Sequence, residues 1–381
     1  MLKILKNLIF PLKINHIKNN TSLQNLCQDI EKYKICAIDT EFMRNRTYYP
    51  ILCLVQINVN DKLYIIDPIA NKLNLSPLYK IFSNKKITKI IHSARHDLEV
   101  LFFNKASRNY HNIVDTQIMA NFCHFNHNIG YKLLVKKLCS KKLCDESQRS
   151  NWKKRPLTDK QTKYAALDVK YLIKIYQKLD QKLQKLDRKS WFDWEMKDFI
   201  KKCKDHDPSD PENLIKRFSL NKRNQNYIEN IKIISVIRDN ICKRVNLPKN
   251  FIIHDEVIEK IMQDRPQEIS DLNKYKSINK KISQEEKQQI IDIFNSQIEE
   301  DNKEDIEQNN SKPLRLNKKQ LATYNKVKQS VSKVSENYKI DKSFIINDKN
   351  IKLLIAKEAK LSHILQDWRL KILGEKIKNI I

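Results

Sequence analysis

The sequence predicts an α/β domain over about the first 200 residues, followed by all-α helical domains. Three observations point that way. Short apolar runs with strand spacing alternate with helical periodicity as far as residue 185. From 214 onward helical spacing dominates, as in Ile228, Ile231, Ile234 and Ile241. Two polar stretches, KDHDPSDPEN at 204–213 and EEDNKEDIEQNNSKP at 299–313, interrupt the pattern where linkers belong. The domains expected are residues 1–203, 214–298 and 312–381.

In chain order, strands are predicted at Ile35–Asp39, Leu52–Val59, Leu63–Ile66 and Ile87–Ile91, with helices at 22–32, 97–103, 130–138 and 159–185. The last of these opens with Thr158-Asp159-Lys160-Gln161, the spacing of a capping box. In the helical half, PKNFIIHDEVIEKIM at 248–262 aligns with DKSFIINDKNIKLLI at 341–355, an offset of 93 residues, which predicts two related small domains.

Composition narrows the function classes. The chain has 381 residues and a net charge of +28, so an acidic polymer is the expected partner. Residues 1–200 hold +18 of that charge, 201–300 only +2, and 312–381 another +11. Two glycines in the whole chain leave no glycine-rich loop for a dinucleotide or a P-loop phosphate. The apolar runs, such as Ile51 to Val55, fall far short of the roughly 20 residues that span a bilayer. The lysine-interrupted start shows no signal-peptide pattern, so a cytoplasmic protein without membrane association is expected. The eight cysteines form no CxxC pair. Cys123, His124, His127, Cys139 and Cys144 cluster in sequence but match no standard zinc spacing, so reduced thiols are expected instead.

Acidic residues stand where a core should be. Asp39 and Glu41 close an apolar strand two residues apart, and a period of two puts both on one face. Paired buried carboxylates require a cation or a proton, and hard oxygen ligands suit magnesium or manganese. An exposed strand end is the bland alternative. Asp97 falls in the first turn of a predicted helix, where it either complements the helix dipole or serves a site. Tyr164 and Asp168 are i, i+4 neighbours on the stripe that holds Tyr171, Leu172 and Ile175, a face turned toward the sheet. There Asp168 needs either a Lys or Arg partner or a metal shared with Asp39 and Glu41.

The order Asp39-x-Glu41, Asp97, Tyr164-xxx-Asp168 resembles the DEDD exonuclease superfamily in its tyrosine-bearing branch. The runs AIDTEFMRNRTYYPILCLVQI, IIHSARHDLEVL, IVDTQIMANF, IGYKLLV and SQRSNWKKRPLTDKQTKYAALDVKYL resemble the ribonuclease D family over about residues 30–185. That resemblance implies a ribonuclease H-like domain with a mixed sheet, followed by HRDC-like helical domains. Residues 228–270 resemble the first HRDC domain through IRDNICKRVNLPKNFIIHDE, with Ile237 and Cys242 in place of the usual tryptophan and alanine. The stretch ending HILQDWRLKILGE looks like a divergent second copy.

The family implies a 3′-5′ exoribonuclease that trims tRNA precursors and other small stable RNAs with single-stranded 3′ ends, releasing nucleoside 5′-monophosphates. It also implies two divalent metal ions (Mg2+ or Mn2+). By resemblance Asp39, Glu41 and Asp168 hold one ion, Asp39 bridges to a second assisted by Asp97, and Tyr164 orients the attacking water. Asp115 matches the family as a supporting residue.

Around this set, Phe42 is a candidate to pack on the terminal base or simply core, and Gln56 to bind substrate or a neighbouring backbone group. Trp152 is a candidate to stack on RNA or to anchor its loop. Lys153, Lys154 and Arg155 lie in a stretch, 136–163, with ten basic and three acidic residues, which would attract phosphates without reading sequence. A single-stranded DNA exonuclease and a catalytically silent RNA-binding protein are the competing readings. A monomer is expected, with RNA held both at the catalytic mouth and by residues 312–381.

Overall fold

The computed structural model describes residues 12–381 except 45, 104–107, 144–146, 148, 219, 221–224, 276–277, 279 and 296–315. The N-terminal eleven residues, Cys144 and the expected linker at 299–313 lie outside the described residues. The chain divides into two compact units, one of Met1–Met43, Leu52–Lys204 and Leu316–Ile381, the other of Arg44–Ile51 and Asp205–Arg315.

The first unit is built on a six-stranded mixed sheet. Its elements run β1 (Ile14–Ile17), α1 (Asn20–Tyr33), β2 (Ile35–Met43), β3 (Ile51–Val59), β4 (Lys62–Ile66), α2 (Pro68–Asn71), α3 (Ser76–Ser83), β5 (Thr88–Ile91), α4 (Arg95–Phe102) and β6 (Ile113–Asp115). Then come α5 (Thr116–Asn121), α6 (Tyr131–Cys139), α7 (Asp159–Lys170), α8 (Leu172–Lys185) and α9 (Lys189–Asp205). The strand order is β1-β4-β3-β2-β5-β6. The β3–β4 pair is antiparallel, whereas β1–β4, β2–β5 and β5–β6 are parallel. One sheet face buries Cys36, Ile38, Val55 and Ile57 with Leu23, Leu26, Leu78 and Leu98. On the other face Ala37, Leu63 and Ile90 pack with Ala166, Val169 and Leu172.

The helix predicted over 159–185 is two helices. Tyr131 Oη donates to the Leu167 carbonyl (2.9 Å) and accepts from the Tyr171 N–H (3.2 Å), while Asn58 Nδ2 donates to the carbonyls of Val169 (3.2 Å) and Lys170 (3.0 Å). These outside partners satisfy backbone groups that an uninterrupted helix would bond itself. The stripe of the sequence therefore splits: Leu172 joins the sheet-side cluster and Ile175 a separate one.

The second unit contains α10 (Pro211–Ile215), α11 (Gln225–Val245), α12 (Lys249–Ile252), α13 (Asp255–Asp264), α14 (Ile269–Leu272) and α15 (Gln284–Asn295). Its core is rich in isoleucine, including Ile231, Ile234, Ile241, Ile258 and Ile261. Tyr48, from the segment between β2 and β3, donates to the buried Asp239 carboxylate (3.0 and 3.1 Å), which also pairs with Lys243 (2.9 Å) and Lys249 (3.1 Å).

After residue 316 the first unit resumes with α16 (Lys318–Tyr338), α17 (Lys342–Ile345), α18 (Asp348–Ile355), α19 (Leu361–Ile364), a π-helical turn at Leu370–Gly374 and α20 (Glu375–Lys378). The repeat legible in the sequence is here a repeat of structure. α16, α17 and α18 each start 93 residues after α11, α12 and α13, at 318, 342 and 348 against 225, 249 and 255. The bond from Leu247 N–H to the Cys242 carbonyl recurs from Ile340 N–H to Ser335.

This later copy shares one core with α5, α6, α8 and α9. Trp368 stacks on Trp191 at 5.6 Å and 16°, and its Nε1 donates to Glu195 (3.0 Å). Arg369 grips the same carboxylate through both terminal nitrogens (2.6 and 3.2 Å). Removing these helices would therefore bare apolar core as well as remove charge, so deletion does not isolate their part in RNA binding. Trp368→Ala should cost about 3–5 kcal/mol of stability, the scale of emptying a buried tryptophan site, read as a lowered midpoint in urea; a shift under about 1 kcal/mol would contradict the shared core.

Candidate active site

The two faces of β2 sort its last residues. Cys36 and Ile38 pack toward α1 and α4, and Ala37 packs toward α7. Continuing the alternation sends Asp39 and Glu41 to the α7 side and Thr40 to the α4 side. Thr40 there donates to Asp97 Oδ1 twice, from its backbone N–H (3.1 Å) and from its hydroxyl (2.5 Å). Asp97 reaches that position because α4 starts at a fixed place. Asp115 caps α5 by accepting from Gln117 N–H (2.8 Å) and also accepts from Ser93 N–H (3.0 Å) and Ala94 N–H (2.8 Å). Ser93 turns through a positive φ of 62° just before the helix. The supporting role expected of Asp115 is thus a backbone role.

α7 supplies the remaining members. The expected capping box forms, with Gln161 N–H donating to Thr158 Oγ1 (3.2 Å) and Thr158 N–H to Gln161 Oε1 (3.1 Å). The helix is held at its start by this cap and at its end by Tyr131 and Asn58. Between them, Tyr164 donates its hydroxyl to Asp168 one turn later. Oxygens of Asp39, Glu41 and Asp168 lie within 4.8 Å of one another, and among the described residues no other group of three His, Cys, Asp or Glu converges this way.

Each acid resists ionisation. Burial raises Asp39 well above the carboxylate range, and Asp97, Asp168 and Glu41 add to it. Burial, then Asp168 and Asp97, push Glu41 up to about 9. Burial lifts Asp97 to about 6 against the bonds from Thr40. It lifts Asp168 to about 7 against the Tyr164 bond and the Lys132 charge. Burial and then Asp168 raise the Tyr164 phenol above its usual range. Three carboxylate oxygens converging in this setting form a hard, anionic donor set that a divalent cation such as magnesium or manganese fits.

Of the residues expected to meet nucleic acid, Lys153 and Lys154 are exposed and Phe42 is half-buried beside Glu41. The other three are drawn into the fold. Trp152 is 2% exposed and sits 6.0 Å from the Tyr164 ring, so it anchors rather than offers a stacking surface. Arg155 spends its donors within the fold, on Asp67 (2.6 and 2.8 Å) and on the carbonyls of Trp152 (2.7 Å), Lys154 (2.9 Å) and Cys53 (3.0 Å). Gln56 is fully buried with neither amide atom hydrogen-bonded.

Cys123 is buried, with its thiol donating to the Leu179 carbonyl (3.5 Å). Sequence reasoning passed over Thr40, Asn58, Tyr131 and Lys132. The signal for Thr40 was its place between two acids on an alternating strand; for Lys132, one lysine in a basic helix, there was none.

Known proteins resemble this architecture. A family described as 3′-5′ exonuclease matches residues 14–184. Ribonuclease D of Jannaschia sp. (strain CCS1) is 32% identical over 262 residues, covering 68% of this chain and 67% of that protein. Ribonuclease D of Nitrobacter hamburgensis is 26% identical over 359 residues, 94% of this chain and 93% of the relative. The crystal structure of Escherichia coli RNase D, an exoribonuclease involved in structured RNA processing, shares the fold with a TM-score of 0.80 at 24% identity, covering 97% of this chain and 98% of that one.

The raised acids set a pH dependence. Without a cation these acids hold protons in the folded state that the unfolded chain releases, so their contribution to stability is fully present below about pH 4 and is lost as pH rises toward about 9. Thermal unfolding at pH 5, 7 and 9 should show magnesium stabilising the protein more at each higher pH, and Glu41→Gln should flatten the trend measured in EDTA. A magnesium effect independent of pH would contradict this electrostatic account.

Proposed function

From the premise that this chain belongs to the ribonuclease D family of DEDD-type 3′-5′ exonucleases and is a 3′-5′ exoribonuclease hydrolase, we propose that it trims the 3′ ends of tRNA precursors and other small structured RNAs. The products are nucleoside 5′-monophosphates. The observation that carries this reading is the convergence of Asp39, Glu41 and Asp168 beside a tyrosine bonded to one of them.

Asp39, Glu41 and Asp168 would hold one divalent ion, and Asp39 with Asp97 a second. When bound, two such ions neutralise charge on the entering and leaving oxygens of a phosphodiester. The chain's own residues do the rest. Tyr164 keeps its proton at neutral pH, because burial and Asp168 raise its phenol further. Its task is therefore to orient the attacking water by hydrogen bonding, not to remove a proton. Thr40 holds Asp97 from behind, so the acid's second oxygen is left for the site. The exposed Lys153 and Lys154 attract backbone phosphates without selecting sequence. Exposed lysines of α16, among them Lys318, Lys319, Lys326 and Lys333, offer a second place for RNA. We place this activity in the cytoplasm and in a monomer.

The test is digestion of 5′-labelled RNA, and of the matched DNA strand, with magnesium, manganese or EDTA. A metal-dependent ladder that shortens from the 3′ end of the RNA is expected; internal cuts, or preference for the DNA, would overturn the reading. Asp39→Asn and Asp168→Asn should remove nearly all hydrolysis while RNA binding persists. In the Asp168→Asn protein, RNA affinity should drop about ten-fold or more between 50 and 200 mM salt. Affinity indifferent to salt would remove the lysines from the account.

A further inference from the structure

Lys132 belongs to none of the acidic motifs, yet α6 builds it into the site. The residue before it, Tyr131, bonds to the Leu167 carbonyl and the Tyr171 N–H and so fixes the first turn of α6 against the end of α7. From that turn the Lys132 ammonium lies 5.0 Å from the centroid of the Tyr164 ring. Its Nζ is shielded from solvent, in contrast to the exposed Lys136 and Lys137 of the same helix. Its charge also favours the ionised form of Asp168.

A buried ammonium is costly to keep unless it faces compensating charge or an aromatic ring. Here it faces both, and they are the two members of one hydrogen bond. The Tyr164 ring is flanked in addition by the buried indole of Trp152, 6.0 Å away. A buried indole and a buried ammonium thus both lie beside a phenol whose hydroxyl has one task.

We propose that Lys132 is a positioning residue of the exonuclease reaction, holding the Tyr164 ring by a cation–π contact so that its hydroxyl keeps the alignment needed at the scissile phosphodiester. This rests on the exoribonuclease reading above. Because Lys132 acts through Tyr164, its loss should appear in turnover and not in RNA affinity, and should matter only while the Tyr164 hydroxyl is present.

The experiment measures kcat and KM on 5′-labelled RNA at saturating magnesium for Lys132→Met and Lys132→Arg, each also in a Tyr164→Phe background. In the wild-type background Lys132→Met should lower kcat about ten-fold, equivalent to about 1.4 kcal/mol of barrier, with KM within two-fold. Lys132→Arg should restore most of that loss. In the Tyr164→Phe background the same Lys132→Met change should cost less than about three-fold, since a lysine that only supported the fold would cost both backgrounds alike.

A Lys132→Met protein within two-fold of wild type overturns the proposal, as do equal losses in the two backgrounds. A raised KM with unchanged kcat also overturns it, because that marks a lysine gripping phosphate directly. Lys132→Gln takes the place of Lys132→Met if the methionine protein does not fold. A wild-type protein without metal-dependent hydrolysis would sink the exoribonuclease reading and this inference with it, whereas an active wild type with indifferent Lys132 variants would sink the inference alone.

Discussion

Four carboxylates occupy one neighbourhood in which burial pushes each toward its protonated form, and repulsion from the other acids adds to it at Asp39 and Glu41. Such a cluster does not assemble unaided, and the surrounding hydrogen bonds can be read as what restrains it. Asp97 is held from the far face of β2 by Thr40, and Asp115 fixes the start of the helix that presents it. Tyr131 and Asn58 stop α7 immediately after Asp168, and the Thr158 cap fixes where α7 begins. The backbone that presents the acids is thus fixed by bonds made around the site, while Thr40 holds Asp97 through one oxygen, Oδ1, and Tyr164 bonds to Asp168.

The basic residues divide into two populations that sequence alone lumps together. Lys153 and Lys154 are exposed, while Arg155 is locked to Asp67 and three carbonyls. Lys132 is enclosed beside Tyr164 and Asp168, while Lys136 and Lys137 of the same helix face water. Net charge describes the first population well, since solvated lysines act on a phosphate backbone as a diffuse field. It says nothing of the second, whose effect depends on a single distance in a low-dielectric setting.

The two helical copies show how one supersecondary pattern serves different surroundings. The offset of 93 residues extends from the short sequence match to the long helices before it. The earlier copy has its own isoleucine-rich core, whereas the later one donates Val327, Val331 and Trp368 to the core of the nuclease unit. The later copy bears aromatic side chains on its shared face: Trp368 meets Trp191, Phe122 and Phe344 at 5.6, 5.1 and 5.6 Å. A separate C-terminal domain was the natural expectation because the polar stretch before it reads as a linker; side-chain packing across a long sequence separation carries no comparable local signal.

What the sequence by itself determined is whatever depends on local periodicity. Alternation along β2 put Asp39 and Glu41 together, i, i+4 spacing joined Tyr164 to Asp168, and the Thr158–Gln161 box began α7 where it was expected. The strands β1 and β6, of four and three residues, gave too few repeats of a period to be seen. Tertiary structure alone decided which polar residues face the site. Trp152, Gln56 and Arg155 look like ligands in a one-dimensional reading because aromatic, amide and guanidinium groups bind RNA, yet all three are drawn into the fold. The helix break at Tyr171 and the placing of Lys132 likewise depend on partners 36 to 112 residues away or on another helix altogether. Local periods are set by backbone geometry, which every segment carries with it; the environment of a side chain is set by what packs against it, and that exists only once the chain has folded.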